Sequence, residues 1–157
     1  MEKSRYLTEF AGLVRTYCNF SEQQPLKSDE APLILKLVSG LYASAFLLRK
    51  NQCCEYLGPI VAQQISDAIY KRFGSLEFNY YRVLDNPEKI PGDEPSVGDL
   101  ADDLRDIYVD LKSGLNSYDD GDKGQAEEDW RTSFYLHWGQ HAANVIFILN
   151  RYAAQYE

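Results

Sequence analysis

Basic charge is what this chain most lacks: 16 Lys and Arg stand against 24 Asp and Glu, a formal charge of −8. A sequence-independent nucleic-acid binder neutralises phosphates with Lys and Arg, so that class is disfavoured. A protein held electrostatically on a membrane surface is disfavoured for the same reason. Long apolar runs are missing as well. The longest, Ala31 to Leu48, is broken by Pro32, Lys36, Ser39, Gly40 and Ser44, whereas a membrane helix needs about 20 apolar residues. No apolar signal region follows Met1 to Tyr6. Cysteine is scarce: Cys18, Cys53 and Cys54 form no CxxC, and such a set reads as reduced thiols of a cytoplasmic protein. There is no internal repeat, no low-complexity tract and no phosphate-cradling glycine loop; Gly121 and Gly124 sit among acids, which repel phosphate.

What is present suits one globular domain over residues 1–157, long enough to bury a core without staples. An aromatic share of 13%, mostly the 12 Tyr, argues against disorder. The apolar period is helical almost throughout. Tyr6, Phe10, Leu13, Val14 and Tyr17 fall on one face of a first helix. Asn19 to Lys27 reads as a loop, with Ser28 and Asp29 as helix-start residues and Pro32 in the first turn. Leu33, Leu37, Leu41, Ala45 and Leu48 predict the stripe of a second helix ending near Lys50. A third helix is expected from Gly58 to Phe73, stopped by Gly74. Leu76 to Leu84 has strand-like composition but no evident partner, and reads as an extended, aromatic-anchored segment. Asn86 to Pro95 is a loop. Ser96 and Asp99 resemble a capping box opening a fourth helix that carries Leu100, Leu104, Ile107, Tyr108, Leu111, Leu115 and Tyr118. The fifth helix is expected to run from about Gly124 to the C-terminus. The fold expected is all-α, a four- or five-helix antiparallel bundle.

Charge is uneven. From Asp93 through Asp129 there are 13 acidic and 3 basic residues, a net of −10. Within this stretch Asp99, Asp103, Asp106 and Asp110 are spaced 4, 3 and 4 apart, one narrow stripe beside the apolar face of the fourth helix. Asp near a helix N-terminus complements the dipole, which accounts for Asp99 and Asp103 better than for Asp106 and Asp110. Both histidines lie on the fifth helix in His137-Trp138-Gly139-Gln140-His141. The i, i+4 spacing puts both rings on one side, the geometry of a metal half-site. Trp130, Phe134 and Ile148 share that face, so the bland alternative is a pair of neutral histidines hydrogen-bonded in the core. The residue after the first His is Trp138, not Glu, so the zinc-protease motif is not matched. A metal needs a further ligand, and the Asp stripe, through Asp103 or Asp106, is its evident supplier. Gly139 in mid-helix costs about 1 kcal/mol against Ala, a sign that a helix or ring packs on the backbone there. Trp130, Tyr108 and Ser133 form a candidate ligand-lining or core polar cluster, although Ser in a helix commonly bonds its own chain. Phe78, Tyr80 and Tyr81 are suited to stacking a ligand or, more commonly, to anchoring a core.

The block Asp99-Leu100-Ala101-Asp102-Asp103-Leu104-Arg105-Asp106-Ile107-Tyr108, continued by Asp110-Leu111-Lys112 and Gly114-Leu115, resembles one half of a family pattern. Trp130, Ser133-Phe134, His137-Trp138-Gly139 and His141 resemble the other half, and Tyr80-Tyr81 before an Asp-containing loop fits it too. The family is a group of small bacterial proteins classified as a domain of unknown function. The match lies in the C-terminal half, while the first 75 residues match only as generic amphipathic helices. The resemblance implies a bacterial all-α protein and brings no activity with it.

Two functions compete as expectations. The first is a cytosolic, non-enzymatic interaction module that presents Asp99, Asp103, Asp106 and Asp110 to a basic protein partner. The alternative is a metal- or small-ligand-binding bundle, hydrolysis among its uses, built on His137 and His141 with Asp103 or Asp106 and implying a divalent metal as cofactor.

Overall fold

The computed structural model describes residues 2–23 and 30–155. Among these residues the chain forms α1 (Glu2–Glu22), α2 (Ala31–Ala45), α3 (Gln63–Phe73), β1 (Tyr80–Val83), β2 (Ser96–Asp99), α4 (Leu100–Asp119), α5 (Lys123–Ser133), a π-helical turn (Phe134–Trp138) and α6 (Gly139–Gln155). The last three run on without a break, so five helical rods make a mostly α-helical bundle. α4 is its axis, packed by α1, α3, α5 and α6, while α2 lies against α1 and α6.

Helical period explains the rods. On α1, Leu7, Phe10, Ala11, Val14, Tyr17 and Cys18 are buried, steps of three and four. The helix continues through Asn19 to Glu22, inside the segment expected as a loop, because Phe20 is buried and the Ser21 hydroxyl donates to the Tyr17 carbonyl. Ser28 and Asp29 lie outside the described residues. Pro32 occupies the first turn of α2 as expected. The buried stripe of α2 is Ile34, Val38, Leu41 and Ala45, with Leu33 on the outside. α2 is apolar on several sides, so its own pattern does not select the face that packs. The helix ends at Ala45, short of Lys50.

α3 begins at Gln63 rather than Gly58. Gly58 has φ +79°, a left-handed turn that no helix accepts, and the Ile60 N–H is drawn to Ser113 Oγ at 2.9 Å. The extended segment does have a partner: β1 pairs antiparallel with β2, Tyr80 opposite Asp99 and Tyr81 opposite Gly98. Ser96 is therefore in a strand, and the cap of α4 is Asp99 alone, whose carboxylate accepts the Asp102 N–H at 3.2 Å. No described helix is long and apolar enough to cross a membrane.

The π turn corrects the expectation of one regular last helix. The Gly139 N–H donates to the Phe134 carbonyl, five residues back. A Cβ at Gly139 would lie 2.3 Å from that oxygen and 2.9 Å from the Phe134 ring. Here the crowding ring belongs to the preceding turn of the same rod. One inserted residue rotates everything beyond it by about 100° relative to Trp130. Trp130 and Trp138 remain buried, while His141, expected within the apolar stripe, is only partly buried and His137, expected at its edge, is exposed.

Candidate metal centre

α4 is so enclosed that two of its aspartates are buried: Asp103 and Asp110 side chains keep 7% and 1% of their exposure. A buried carboxylate is costly unless hydrogen-bonded or paired. The π turn and the first turn of α6 supply the partners. His141 Nδ1 lies 2.6 Å from Asp103 Oδ1, and His137 Nδ1 lies 2.8 Å from Asp110 Oδ2. Each ring is thus held through Nδ1, and each turns its Nε2 toward Asp106 Oδ2, at 3.4 Å from His141 and 3.6 Å from His137. The rings meet edge to face, centroids 4.7 Å apart. One donor atom from each of Asp106, His137 and His141 lies within 4.8 Å of the others.

The surroundings fix these groups further. Asp106 Oδ1 accepts from Arg105 Nε at 3.1 Å and Nη2 at 2.8 Å. Arg105 also pairs with Asp102. The Tyr81 hydroxyl donates to Asp103 Oδ2. Sequence reasoning left Tyr81 without this role, because the contact crosses from β1 to α4. Tyr81 reaches Asp103 over Gly98, where a Cβ would stand 2.4 Å from its ring. Proton affinities follow the geometry. The hydrogen bond to Asp110 raises the His137 pKa, outweighing burial. Burial, reinforced by the bond to Asp103, pushes the Tyr81 hydroxyl well up. Burial, with Asp106 beside it, also raises Asp102.

The other sequence candidates lie elsewhere. Asp99 is engaged by other groups and accepts from Tyr70 Oη at 2.9 Å and Asn79 Nδ2 at 2.7 Å. Burial alone would raise its pKa, but these bonds and the main-chain N–H groups hold it low. The four aspartates therefore share no single outward face. Trp130 Nε1 donates to the Leu111 carbonyl at 2.9 Å, Ser133 Oγ to the Asp129 carbonyl at 2.6 Å, and Tyr108 Oη to Glu22 at 2.8 Å. All three residues are buried, and each has its own partner away from the histidines. Phe78 stacks on Tyr152 with centroids 3.6 Å apart. The three cysteines are free, and burial raises the Cys18 thiol to about 12.

The chain belongs to the DUF5063 family, a domain of unknown function, whose model matches residues 2–155. It is also similar to the crystal structure of protein BF1032 from Bacteroides fragilis, a Northeast Structural Genomics Consortium target. The two superpose with a TM-score of 0.74 at 24% sequence identity, over 92% of this chain and 90% of that one. That likeness carries the fold and no activity. No curated protein matches the chain.

Proposed function

We propose that this member of the DUF5063 family binds one divalent first-row metal ion through Asp106 Oδ2, His137 Nε2 and His141 Nε2. Asp103 and Asp110 are the carboxylates that orient the two imidazoles. The convergence of three lone pairs carries this proposal. A neutral imidazole that donates its Nδ1–H presents a bare lone pair at Nε2. Both Nε2 atoms face one carboxylate oxygen at 3.4 and 3.6 Å. Those separations lie beyond a good hydrogen bond. They suit the edges of a coordination shell, since donors about 2.1 Å from a tetrahedral ion stand about 3.4 Å apart. A ligating His whose other nitrogen is held by a carboxylate is the usual outer support of a metal site. Two imidazoles and one carboxylate suit zinc, iron(II), manganese or cobalt.

Charge supports the same reading. Asp102 and Asp106 share Arg105, while Asp103 and Asp110 pair with the histidines alone among the described cationic side chains, and a divalent cation offsets the excess of carboxylates. An open docking face for a basic partner needs carboxylates that lysines can reach, and Asp103 and Asp110 are withdrawn into the bundle.

Elemental analysis after loading with Zn, Mn or Fe tests the proposal. The expected result is about one ion per chain, lost in His141→Ala and Asp106→Ala while far-UV circular dichroism stays unchanged. No bound metal under any loading sinks it, and the histidines are then hydrogen-bonding partners of the aspartates alone.

A further inference from the structure

Resting on that metal reading, we infer that the ion keeps exchangeable coordination positions and takes a small anionic donor from solution in place of water. Three observations lead there. The protein's donors are used up at three. Asp106 Oδ1 is held by Arg105 Nε and Nη2, so this carboxylate offers Oδ2 alone. Asp103 and Asp110 are committed to the imidazole Nδ1 atoms, and Asp103 Oδ2 accepts from Tyr81 as well. No fourth His, Cys, Asp or Glu joins the group among the described residues. An ion of coordination number four to six therefore has one to three positions that the protein does not fill.

The cluster is also graded from inside to outside. The orienting groups Asp103 and Asp110 are 7% and 1% exposed, whereas the ligands Asp106, His141 and His137 are 17%, 23% and 45% exposed. Support lies inward and donors outward, so the unfilled positions face solvent. Finally, the donors come from only two rods, Asp106 from α4 and the histidines from the π turn and α6. A closed structural site has four protein donors around the ion, while an open one keeps a place for water or another ligand. At rest those places hold water; on addition of azide one water leaves and an azide nitrogen takes its position, with no change of oxidation state.

Cobalt(II)-loaded protein titrated with sodium azide tests this. One cobalt per chain with a saturable, one-site change in the visible bands is expected. Arg105→Gln frees Asp106 Oδ1 to chelate, so the cobalt bands should dim as coordination number rises, and azide binding should weaken about tenfold. Loss of positive charge alone does not dim the bands. Bound cobalt whose spectrum ignores azide overturns the open site. Bands unchanged in Arg105→Gln overturn the role given to Arg105. Absence of bound cobalt overturns the metal reading itself, and this inference with it.

Discussion

Two acidic triplets lie within one stretch of sequence and end in opposite situations. On α5, Glu127, Glu128 and Asp129 are all buried. Glu127 accepts the Arg49 N–H at 3.0 Å, and Glu128 accepts the Asn51 N–H at 2.6 Å and the Thr132 hydroxyl at 2.8 Å. Asp129 accepts the Gln125 side-chain amide at 2.8 Å; burial raises its pKa, and the Leu57 N–H works against that rise. These carboxylates tie the connection after α2 to the bundle, and most of their donors are main-chain N–H groups that cannot be surrendered. On α4, Asp103, Asp106 and Asp110 face imidazoles, whose Nε2 atoms remain directed at one oxygen. The acidic count is the same, and the identity of the donors separates scaffold from candidate site.

The contrast can be broken from either side. Glu128→Ala removes the acceptor of a main-chain N–H and a hydroxyl, and should cost about 1–3 kcal/mol of stability. Thermal unfolding should show a midpoint lower by several degrees, with metal stoichiometry unchanged. Asp110→Ala should act chiefly on the metal. By freeing the His137 ring it should weaken metal binding about 10–100-fold in a competitive chelator titration. If Glu128→Ala released the metal as strongly, the division between the triplets would fail.

Smaller effects sharpen the boundary of the site. Tyr81→Phe deletes only the hydroxyl that supports Asp103, and should weaken metal binding by about tenfold or less. Gly98→Ala displaces the same ring and should give a similar loss; in the double variant the two losses should not add. Strict additivity, measured by the same titration, would show that Tyr81 does not act through Asp103.

The least effect is the pH dependence of the metal-free protein. The folded His137 pKa is raised above the ordinary value of about 6.5. Its pairing with Asp110 therefore stabilises fully below about pH 6.5 and is lost as pH rises through the folded value. Thermal midpoints of the metal-free protein should fall across that window, and the slope should flatten in His137→Ala. Metal competes with the same proton, so metal affinity should rise with pH over the same range.

Much of the fold was legible before any coordinates. The stripe of α1, Pro32 at the start of α2 and the stop after Phe73 follow from rules that act over a few residues. The expected stripe of α2 holds at Leu41, Ala45 and Leu48 but not at its start, and α3 begins later than expected, because apolar Leu33 and Ile60 stay exposed. A helix that is apolar on several sides leaves its packing face to its neighbours. The pairing of β1 with β2 was hidden because Ser96 to Asp99 also suits a helix start. Within the candidate site, spacing pairs the two histidines and helical period aligns the aspartates, but neither rule says that the two sets meet. Tyr81 and Arg105 were not assigned to it, since nothing local marks them.

By itself the sequence determined that this is a helical chain with its acids concentrated around one rod. It also put Asp103, Asp106 and Asp110 on one face, and His137 and His141 on another. Such facts depend on backbone geometry within one or two turns. Only the tertiary structure decided that those faces meet, that Asp103 and Asp110 turn inward and Asp106 outward, and that Tyr81 closes the support. The reason is a matter of phase and distance. One extra residue in the π turn reorients the last helix by about 100°, and the contacts that hold the site join residues 22 to 38 positions apart.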